Sequence, residues 1–318
     1  MTQIPSYGEL ISLVFPVLLI LLIGVFVRAG SLINQSTTTH LPKLVIYLLY
    51  PCLLLDTTLS SNALKDFKNL FLAPLFGFLC VAIGVLLSYL LLKKAFKQET
   101  PHRAFAFTTG IFNFSYIPIP ICIALFDTNT LAVLMTFCVG VELAIWSIGI
   151  FILTGKREEK AWKQFINPPL ITLLIAIPIV ITQTQEYIPQ PLLTSIDLLG
   201  ASSIPIGLLA IGATLYDLGK NTLNSIRIKP CIWSVILRCG VFPVLFISFA
   251  LFFPVGNELQ NVLLLQAAMP CGIFPIVIAK HYSSDSSLSF QIVVATTAFS
   301  LITAPAWLHF GIRLASNG

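Results

Sequence analysis

The chain has 318 residues, of which 57% are hydrophobic and only 10% are charged. A soluble domain carries about 25% charged residues, so this composition, with a mean hydropathy of +0.92, excludes a soluble domain and predicts an all-α membrane protein with several spans. The net charge of +5 is explained by the positive loops of such a protein, and it calls for no nucleic-acid partner.

A transmembrane helix needs about 20 apolar residues, and ten segments of the chain fit this requirement. The chain begins MTQIPSYGELI, without a basic region, so the first segment is expected to remain as a span rather than to be cleaved. The first five segments are Leu10–Ala29, Leu41–Leu59, Leu70–Leu92, Ala104–Phe126 and Leu131–Thr154. After the polar stretch GKREEKAWKQ, the second five are Phe165–Thr182, Leu192–Tyr216, Pro230–Pro254, Leu259–His281 and Leu288–Phe310.

The Lys and Arg residues are distributed unevenly between the loops. Fourteen of the eighteen lie in the odd-numbered loops, against three in the even-numbered loops and the two tails. Positive residues favour the cytoplasmic side, so we expect a protein of the cell (inner or plasma) membrane with both termini outside. A basic hinge at 155–164 separates residues 1–154 from residues 165–318. Because each half has an odd number of spans, the two five-helix repeats are predicted to be inverted.

Spans four and nine carry prolines near their centres. When Thr108–Asp127 is laid over Gln266–Asp285, an offset of 158 residues, both segments carry prolines near the middle: Pro118 and Pro120 in one, Pro270 and Pro275 in the other. A proline removes a backbone donor and clashes with the preceding turn, and in lipid the freed groups must be satisfied internally. We therefore predict two broken helices that cross. Their half-helix ends would form an anion site with a possible cation site beside it. Proline kinks with a packing role alone are the alternative.

Four stretches carry a family resemblance: AAMPCGIFPIVIAKHY, LPKLVIYLLYPCLLL, IPIGLLAIGATL and FNFSYIPIP. They resemble the auxin efflux carrier family of membrane transporters, and the first looks like the second crossover of that family. In FNFSYIPIP, Asn113 and Pro120 fit the family pattern, whereas Ser115 and Pro118 stand where glycine is usual. With its short hinge, the chain is similar to the compact, prokaryotic-type members.

This resemblance implies a ten-span crossover fold like that of the bile acid:sodium symporters. It also implies transport of small organic anions, such as carboxylates or auxin-like compounds, and a homodimer. Spans one, two, six and seven would form the scaffold and the dimer face.

The predicted substrate site lies between the two breaks. Asn113 is the favoured polar residue, because it can cap a half-helix or hydrogen-bond a carboxylate; bonding between helices is the alternative. The remaining candidates are Ser115, Tyr116, Pro118 and Pro120 on one side and Pro270, Cys271, Gly272, Ile273, Phe274 and Pro275 on the other.

Three charged residues inside or near spans are candidates for anion attraction or ion coupling. Arg238 is a fixed positive charge or a structural one. Glu142 is a proton-coupling carboxylate or cation ligand, or else it pairs with Arg238 so that both are neutralised. Lys280 follows the second break. The coupling ion is H⁺, Na⁺ or neither.

These features favour a secondary transporter that exports a small organic anion by alternating access, with a channel-type facilitator as the alternative. An enzyme is not expected, since no pair of facing aspartates and no deep Ser–His pair is evident. Seven cysteines in apolar stretches and four scattered histidines favour neither disulfides, nor a metal site, nor a cofactor.

Overall fold

The computed structural model describes residues 5–93, 98–156, 167–220 and 226–317. Within these ranges the regular elements are helices, and the longest connections contain only short 3₁₀ turns and one isolated β-bridge. The twelve helices of the described ranges are α1 Tyr7–Ala29, α2 Gln35–Leu59, α3 Phe67–Leu92, α4 Glu99–Gly110, α5 Pro118–Leu125, α6 Thr128–Thr154, α7 Pro168–Thr182, α8 Gln190–Gly219, α9 Ile228–Phe252, α10 Asn257–Ala267, α11 Phe274–His281 and α12 Ser286–Asn317.

Seven of the helices are long and apolar enough to cross a membrane, namely α1, α2, α3, α6, α8, α9 and α12. The protein is therefore an all-helical, multi-pass membrane protein. Helix α7 has 15 residues and is about 22 Å long at 1.5 Å per residue, less than the bilayer core of about 30 Å. Its predicted span, Phe165–Thr182, begins at residues outside the described ranges. A count of ten spans stays a prediction.

Local sequence explains where several helices begin. Ser6 and Glu9 form a reciprocal capping box at the start of α1. The Asp127 side chain accepts from the Thr130 N–H at 2.9 Å and starts α6. The Asn167 side chain accepts from the third residue of α7. Each cap satisfies an N–H group that has no partner inside its helix.

The helices pack in two groups. In one, α1 lies against α8, and α2 lies against both α7 and α8. In the other, α3 packs on α4 and α6, while α9 packs on α10 and α12. In the order of elements, α1, α2, α3 and α6 of the first half correspond to α7, α8, α9 and α12 of the second half. The α1–α8 contact is therefore equivalent to the α7–α2 contact, and the α3–α6 contact to the α9–α12 contact.

The end of the first predicted repeat coincides with a helix end. Helix α6 stops at Thr154, and Gly155 follows it with a φ of 73°, a left-handed conformation that favours glycine. Most of the predicted hinge 155–164 lies outside the described ranges, which resume at Asn167. The division of the chain into two repeats, 1–154 and 165–318, is not tested and stays a prediction.

Candidate functional site

The fourth predicted span is interrupted between α4 and α5. Helix α4 ends at Gly110 because Ile111 is extended, with φ −101° and ψ 115°. The helix resumes at Pro118, and residues 111–117 are not helical. Proline suits a first helical turn, since the N–H that it lacks would have no partner there.

The ninth predicted span is interrupted in the same way between α10 and α11. Helix α10 ends at Ala267, and α11 begins at Phe274 with Pro275 as its second residue. Residues 268–273 are not helical. Both interruptions fall in the proline-bearing stretches that the sequence singled out.

The two interruptions are joined through their backbones. The Asn113 N–H donates to the Pro270 C=O at 2.8 Å, and the Gly272 N–H donates to the Ile111 C=O at 2.9 Å. Buried backbone groups need such partners, above all where no water reaches them. The two segments therefore behave as one hydrogen-bonded unit.

The residues at the centre of this unit are tightly enclosed. Phe112 and Cys271 face each other as an antiparallel pair, and both are completely buried. The Cys271 N–H donates to Thr296 Oγ1 of α12 at 3.3 Å. A Cβ atom at Gly272 would lie 2.9 Å from the Phe112 carbonyl oxygen. Only glycine allows this approach without a shift of the backbone.

Asn113 braces the first interruption and keeps a free donor. Its Oδ1 accepts from the Ile117 N–H at 3.2 Å, and the residue is 5% exposed. Because Oδ1 is the acceptor in this arrangement, the amide NH₂ group points elsewhere. Within the described ranges that NH₂ group makes no hydrogen bond, so it can donate to a bound ligand.

The other candidates of the first interruption have structural contacts. The Ser115 C=O accepts an N–H of the first turn of α5 at 2.9 Å. The Tyr116 ring lies on Gly207 of α8, so close that a Cβ at Gly207 would be 2.5 Å from Tyr116 Cε1. Pro118 is buried and Pro120 is half-buried. Tyr116 therefore joins the first interruption to the other group of helices.

The second interruption leads into a helix start that is only partly satisfied: the Ile276 N–H donates to the Ile273 C=O at 3.0 Å. No side chain caps the first turn of α11. Ile273 and Pro275 are buried, whereas Phe274 is 36% exposed. The Phe274 ring meets the Trp146 ring of α6 edge to face, with their centroids 6.0 Å apart. These two rings form an aromatic surface beside the first turn of α11.

Arg238 is completely buried in a π-turn of α9 and is bound to the second interruption. Its Nε donates to the Met269 C=O at 2.8 Å, and its Nη2 donates to the Gln266 C=O at 3.0 Å. The predicted alternative of an Arg238–Glu142 ion pair is wrong, because each side chain has a different partner.

Glu142 lies in α6 and accepts a hydrogen bond from the Asn167 side chain at the start of α7. It is one helical turn from Cys138, whose Sγ donates to the Phe114 C=O at 3.2 Å. Glu142 is thus near the first interruption and connects the two groups of helices. It also lines a small crevice, together with Val139, Leu143, Asn167 and Leu170.

Lys280 is exposed and lies in the last turn of α11. It lies seven positions after Ile273, which places it about 10 Å along the helix at 1.5 Å per residue. The structure therefore does not bring Lys280 to the contact between the interruptions, whereas it does bring Arg238 there.

Two polar residues of this site were not among the predicted site residues. The Gln266 side chain donates to the Phe114 C=O at 3.0 Å, and Thr296 accepts from the Cys271 N–H. Each is a polar residue in a largely apolar stretch. Their partners are backbone groups that lose their helical hydrogen bonds where a helix is interrupted. A polar residue in such a stretch is therefore the sequence signal that could have identified them.

A surface cavity lies away from the interruptions, at the end of α2 and the start of α8. Its volume is about 360 Å³, and it is lined by Asp56, Leu59, Ser60, Gln185, Glu186, Gln190, Leu193, Thr194 and Asp197. Neither this cavity nor the crevice at Glu142 includes a residue of the two interruptions. Phe112, Cys271 and Gly272 are buried, so the contact between the interruptions is closed in this structure.

Several membrane-length helices, with two interrupted helices that meet inside them, are the architecture of a membrane transporter. The profile of the family described as membrane transport protein matches residues 10–162 and 158–308. The chain therefore belongs to this family, the auxin efflux carrier family, as the sequence motifs predicted.

Two relatives support this assignment. The chain is 25% identical over 308 residues to an uncharacterized transporter of Methanocaldococcus jannaschii, covering 93% of this chain and 97% of that protein. It is 28% identical over 157 residues to auxin efflux carrier component 8 of Arabidopsis thaliana, covering 48% of this chain and 40% of that protein.

Proposed function

We propose that this transporter is a secondary carrier of a small organic anion, whose carboxylate binds where the two interruptions meet. The observation that carries the proposal is Asn113, which holds the first interruption with Oδ1 and keeps its amide NH₂ free. A carboxylate has only acceptors, so this donor fits it. The Asn113 side chain lies at the start of α5, and its backbone N–H donates to Pro270 of the second interruption.

Helix starts add a positive electrostatic potential to this position. The first N–H groups of a helix are unpaired and together carry about half a positive charge. Helix α5 has prolines at positions 118 and 120, which have no N–H to offer. Helix α11 has one proline in its first turn and no side-chain cap. We therefore assign the stronger N–H contacts with the anion to α11.

An aromatic or alkyl body on the anion would fit the second interruption. Phe274 and Trp146 present an aromatic surface beside the first turn of α11. The Arabidopsis thaliana relative is named as an auxin efflux carrier component. We accordingly propose an auxin-like carboxylate and export as the direction of transport.

Transport would occur by alternating access of two helix groups. The proposed ten spans form two inverted repeats, and the equivalent packing pairs of the two halves support this arrangement. The group with α1, α2, α7 and α8 would be the scaffold and the face of a homodimer in the cell membrane, with both termini outside. The group with both interruptions would rock against it and open the closed contact.

Glu142 is the proposed proton-coupling group. Its hydrogen bond with Asn167 would connect the moving group to the scaffold. Protonation would change that contact and so link the proton to the motion. Uptake driven by a proton gradient tests this role.

A ligand screen tests the proposed substrate class. Purified protein is melted with a panel of aryl and alkyl carboxylates, each paired with its uncharged amide. We expect at least one carboxylate to raise the melting temperature while its amide does not. Asn113→Ala is expected to weaken that binding at least about tenfold, or roughly 1.4 kcal/mol. Asn62→Ala, at an exposed loop position without a side-chain cap role, is the matched control.

Two outcomes would count against this assignment. If amides bind as well as their acids, the site does not recognise a carboxylate. If Asn113→Ala binds the best carboxylate as tightly as the unchanged protein and the Asn62→Ala control, the free amide of Asn113 is not a ligand-binding group.

A further inference from the structure

The guanidinium group of Arg238 binds the end of a broken helix. It donates to the C=O groups of Gln266 and Met269 at 3.0 Å and 2.8 Å. Gln266 belongs to the last turn of α10, and Met269 lies in the interruption that follows. The last carbonyls of a helix lack partners within it and carry a negative partial charge. Arg238 therefore supplies a positive charge where the broken helix needs one.

Arg238 balances its charge without a carboxylate. Three aromatic rings surround its guanidinium carbon, with the centroids of Phe112, Phe246 and Phe242 at 5.0, 5.1 and 5.6 Å. Ring faces attract cations, and more strongly when water is excluded. Within the described ranges, the ion pairs of the protein are Arg28–Asp217, Arg103–Glu99 and Arg227–Asp285. The pocket of carbonyls and ring faces is thus suited to a single positive charge.

The same site ties the two interruptions together. Gln266 gives its C=O to Arg238 and its side-chain N–H to the Phe114 C=O at 3.0 Å. Phe112, one of the rings around the guanidinium, lies in the first interruption. A positive charge at this position therefore holds both interruptions in place.

In transporters with broken helices, the carbonyls at half-helix C-terminal ends bind the coupling Na⁺. A guanidinium that occupies those carbonyls excludes a free ion from them. We infer that Arg238 is a tethered cation that takes the place of an exchangeable monovalent cation at the contact between the interruptions. The contact is then assembled without Na⁺. This inference refines the proposed function, because it concerns how the same site is held ready for its anion.

Melting of the purified full-length protein, with the cation alone as the probe, tests the inference. NaCl, LiCl, KCl and choline chloride are compared, each at about 150 mM so that screening is equal. We expect the melting temperature of the unchanged protein not to differ between the four salts, and we expect the same of Arg238→Lys. Arg238→Gln removes the guanidinium from the carbonyls, so in choline chloride its melting temperature should be lower than that of the unchanged protein. It should also regain about 2–4 °C in NaCl or LiCl by cation binding. Arg313→Gln, at an exposed arginine, is the matched control.

A role in packing alone would lower the melting temperature of Arg238→Gln equally in all four salts, and that result overturns the inference. A melting temperature of the unchanged protein that is higher in NaCl than in the other salts also overturns the inference. This measurement does not depend on whether Arg238→Gln folds. The probe is the cation, so failure of the proposed anion specificity leaves these results unaffected. Conversely, a protein that binds a carboxylate but needs Na⁺ contradicts only the role of Arg238.

Discussion

Gly272→Ala tests whether the close contact between the interruptions holds the site together. The added Cβ would lie 2.9 Å from the Phe112 carbonyl oxygen and 3.3 Å from its carbon. Carbon and oxygen atoms normally stay about 3.3–3.6 Å apart even in favourable contacts. Both atoms at the short distance belong to the backbone, so a side-chain rotation cannot relieve the clash. The two segments must separate by about half an ångström.

That separation weakens the hydrogen bonds that join the segments. The Gly272 N–H···O=C Ile111 bond is 2.9 Å long, and half an ångström more takes it beyond the usual limit of about 3.2 Å. A buried group left without its partner costs about 1–3 kcal/mol. At about 2–4 °C per kcal/mol for a chain of 150–250 residues, the melting temperature should fall by several degrees.

The neighbouring thiol gives a second, local measurement. Cys271 is completely buried, so its alkylation by N-ethylmaleimide reports opening of the contact. A loss of 1–2 kcal/mol raises the open population about 5–30-fold, and the labelling rate at Cys271 should rise in proportion. The partly exposed cysteines are replaced by alanine in every variant, namely Cys52, Cys231 and Cys239.

Gly240→Ala is the matched control, because Gly240 lies in α9 with nothing within 4 Å of its added Cβ. It should leave both the melting temperature and the Cys271 labelling rate nearly unchanged. If Gly272→Ala behaves like this control in both measurements, the backbone contact is not what holds the two interruptions together.

Gly207→Ala is expected to displace the Tyr116 ring, since its Cβ would lie 2.5 Å from Tyr116 Cε1; the double variant with Tyr116→Ala should recover most of the lost melting temperature. Glu142→Gln removes a charge but keeps a hydrogen-bonding group, so uptake into vesicles should lose its dependence on the proton gradient. Burial raises the pKa of Asp285, but hydrogen bonds from Arg227 and a backbone N–H outweigh it, and the net pKa is lowered. Stability from this pair is therefore complete above the unfolded pKa of about 3.9. It is lost as the pH falls through the lowered pKa, and Asp285→Asn should remove that acid-side loss.

Each of these three predictions has a contradicting result. A double variant no more stable than Gly207→Ala would show that the Tyr116 ring is not the clashing group. Full gradient dependence in Glu142→Gln would show that another residue couples the proton. Identical acid-melting profiles for the unchanged protein and Asp285→Asn, both followed by tryptophan fluorescence, would show that Asp285 contributes nothing to acid sensitivity.

The helical membrane class and the places of the two interruptions could be predicted because their signals are local. Apolar runs of membrane length and prolines such as Pro118 and Pro275 act on the segments that contain them. The packing of Phe112 against Cys271 joins distant segments, and only the layout of the two halves hinted at it. The 15-residue α7 is shorter than the predicted span Phe165–Thr182, whose first two residues lie outside the described ranges.

The partners of the charged residues could not be predicted. From composition alone, a buried arginine and a buried glutamate favour each other, which is why an Arg238–Glu142 pair was an open alternative. Arg238 instead binds carbonyls 28 and 31 residues further along the chain, and Glu142 binds the side chain of Asn167. Backbone carbonyls become acceptors only where a helix is broken in three dimensions, and residue type does not reveal that.

The bonds at the site bear on the proposed alternating-access motion. Within the group that carries the interruptions, two backbone hydrogen bonds join the interruptions to each other. The side chains of Gln266 and Arg238 add bonds that connect α10 and α9 to them. Toward the other group, the contacts include the Tyr116 ring on Gly207 and the hydrogen bond between Glu142 and Asn167, beside the packing of α1 on α5 and of α2 on α6. Breaking the first set exposes several polar groups at once, whereas the second set can be broken by a small slide. In the proposed alternating-access motion, the interruptions would therefore move as one unit, and contacts at Tyr116 and Glu142 would change.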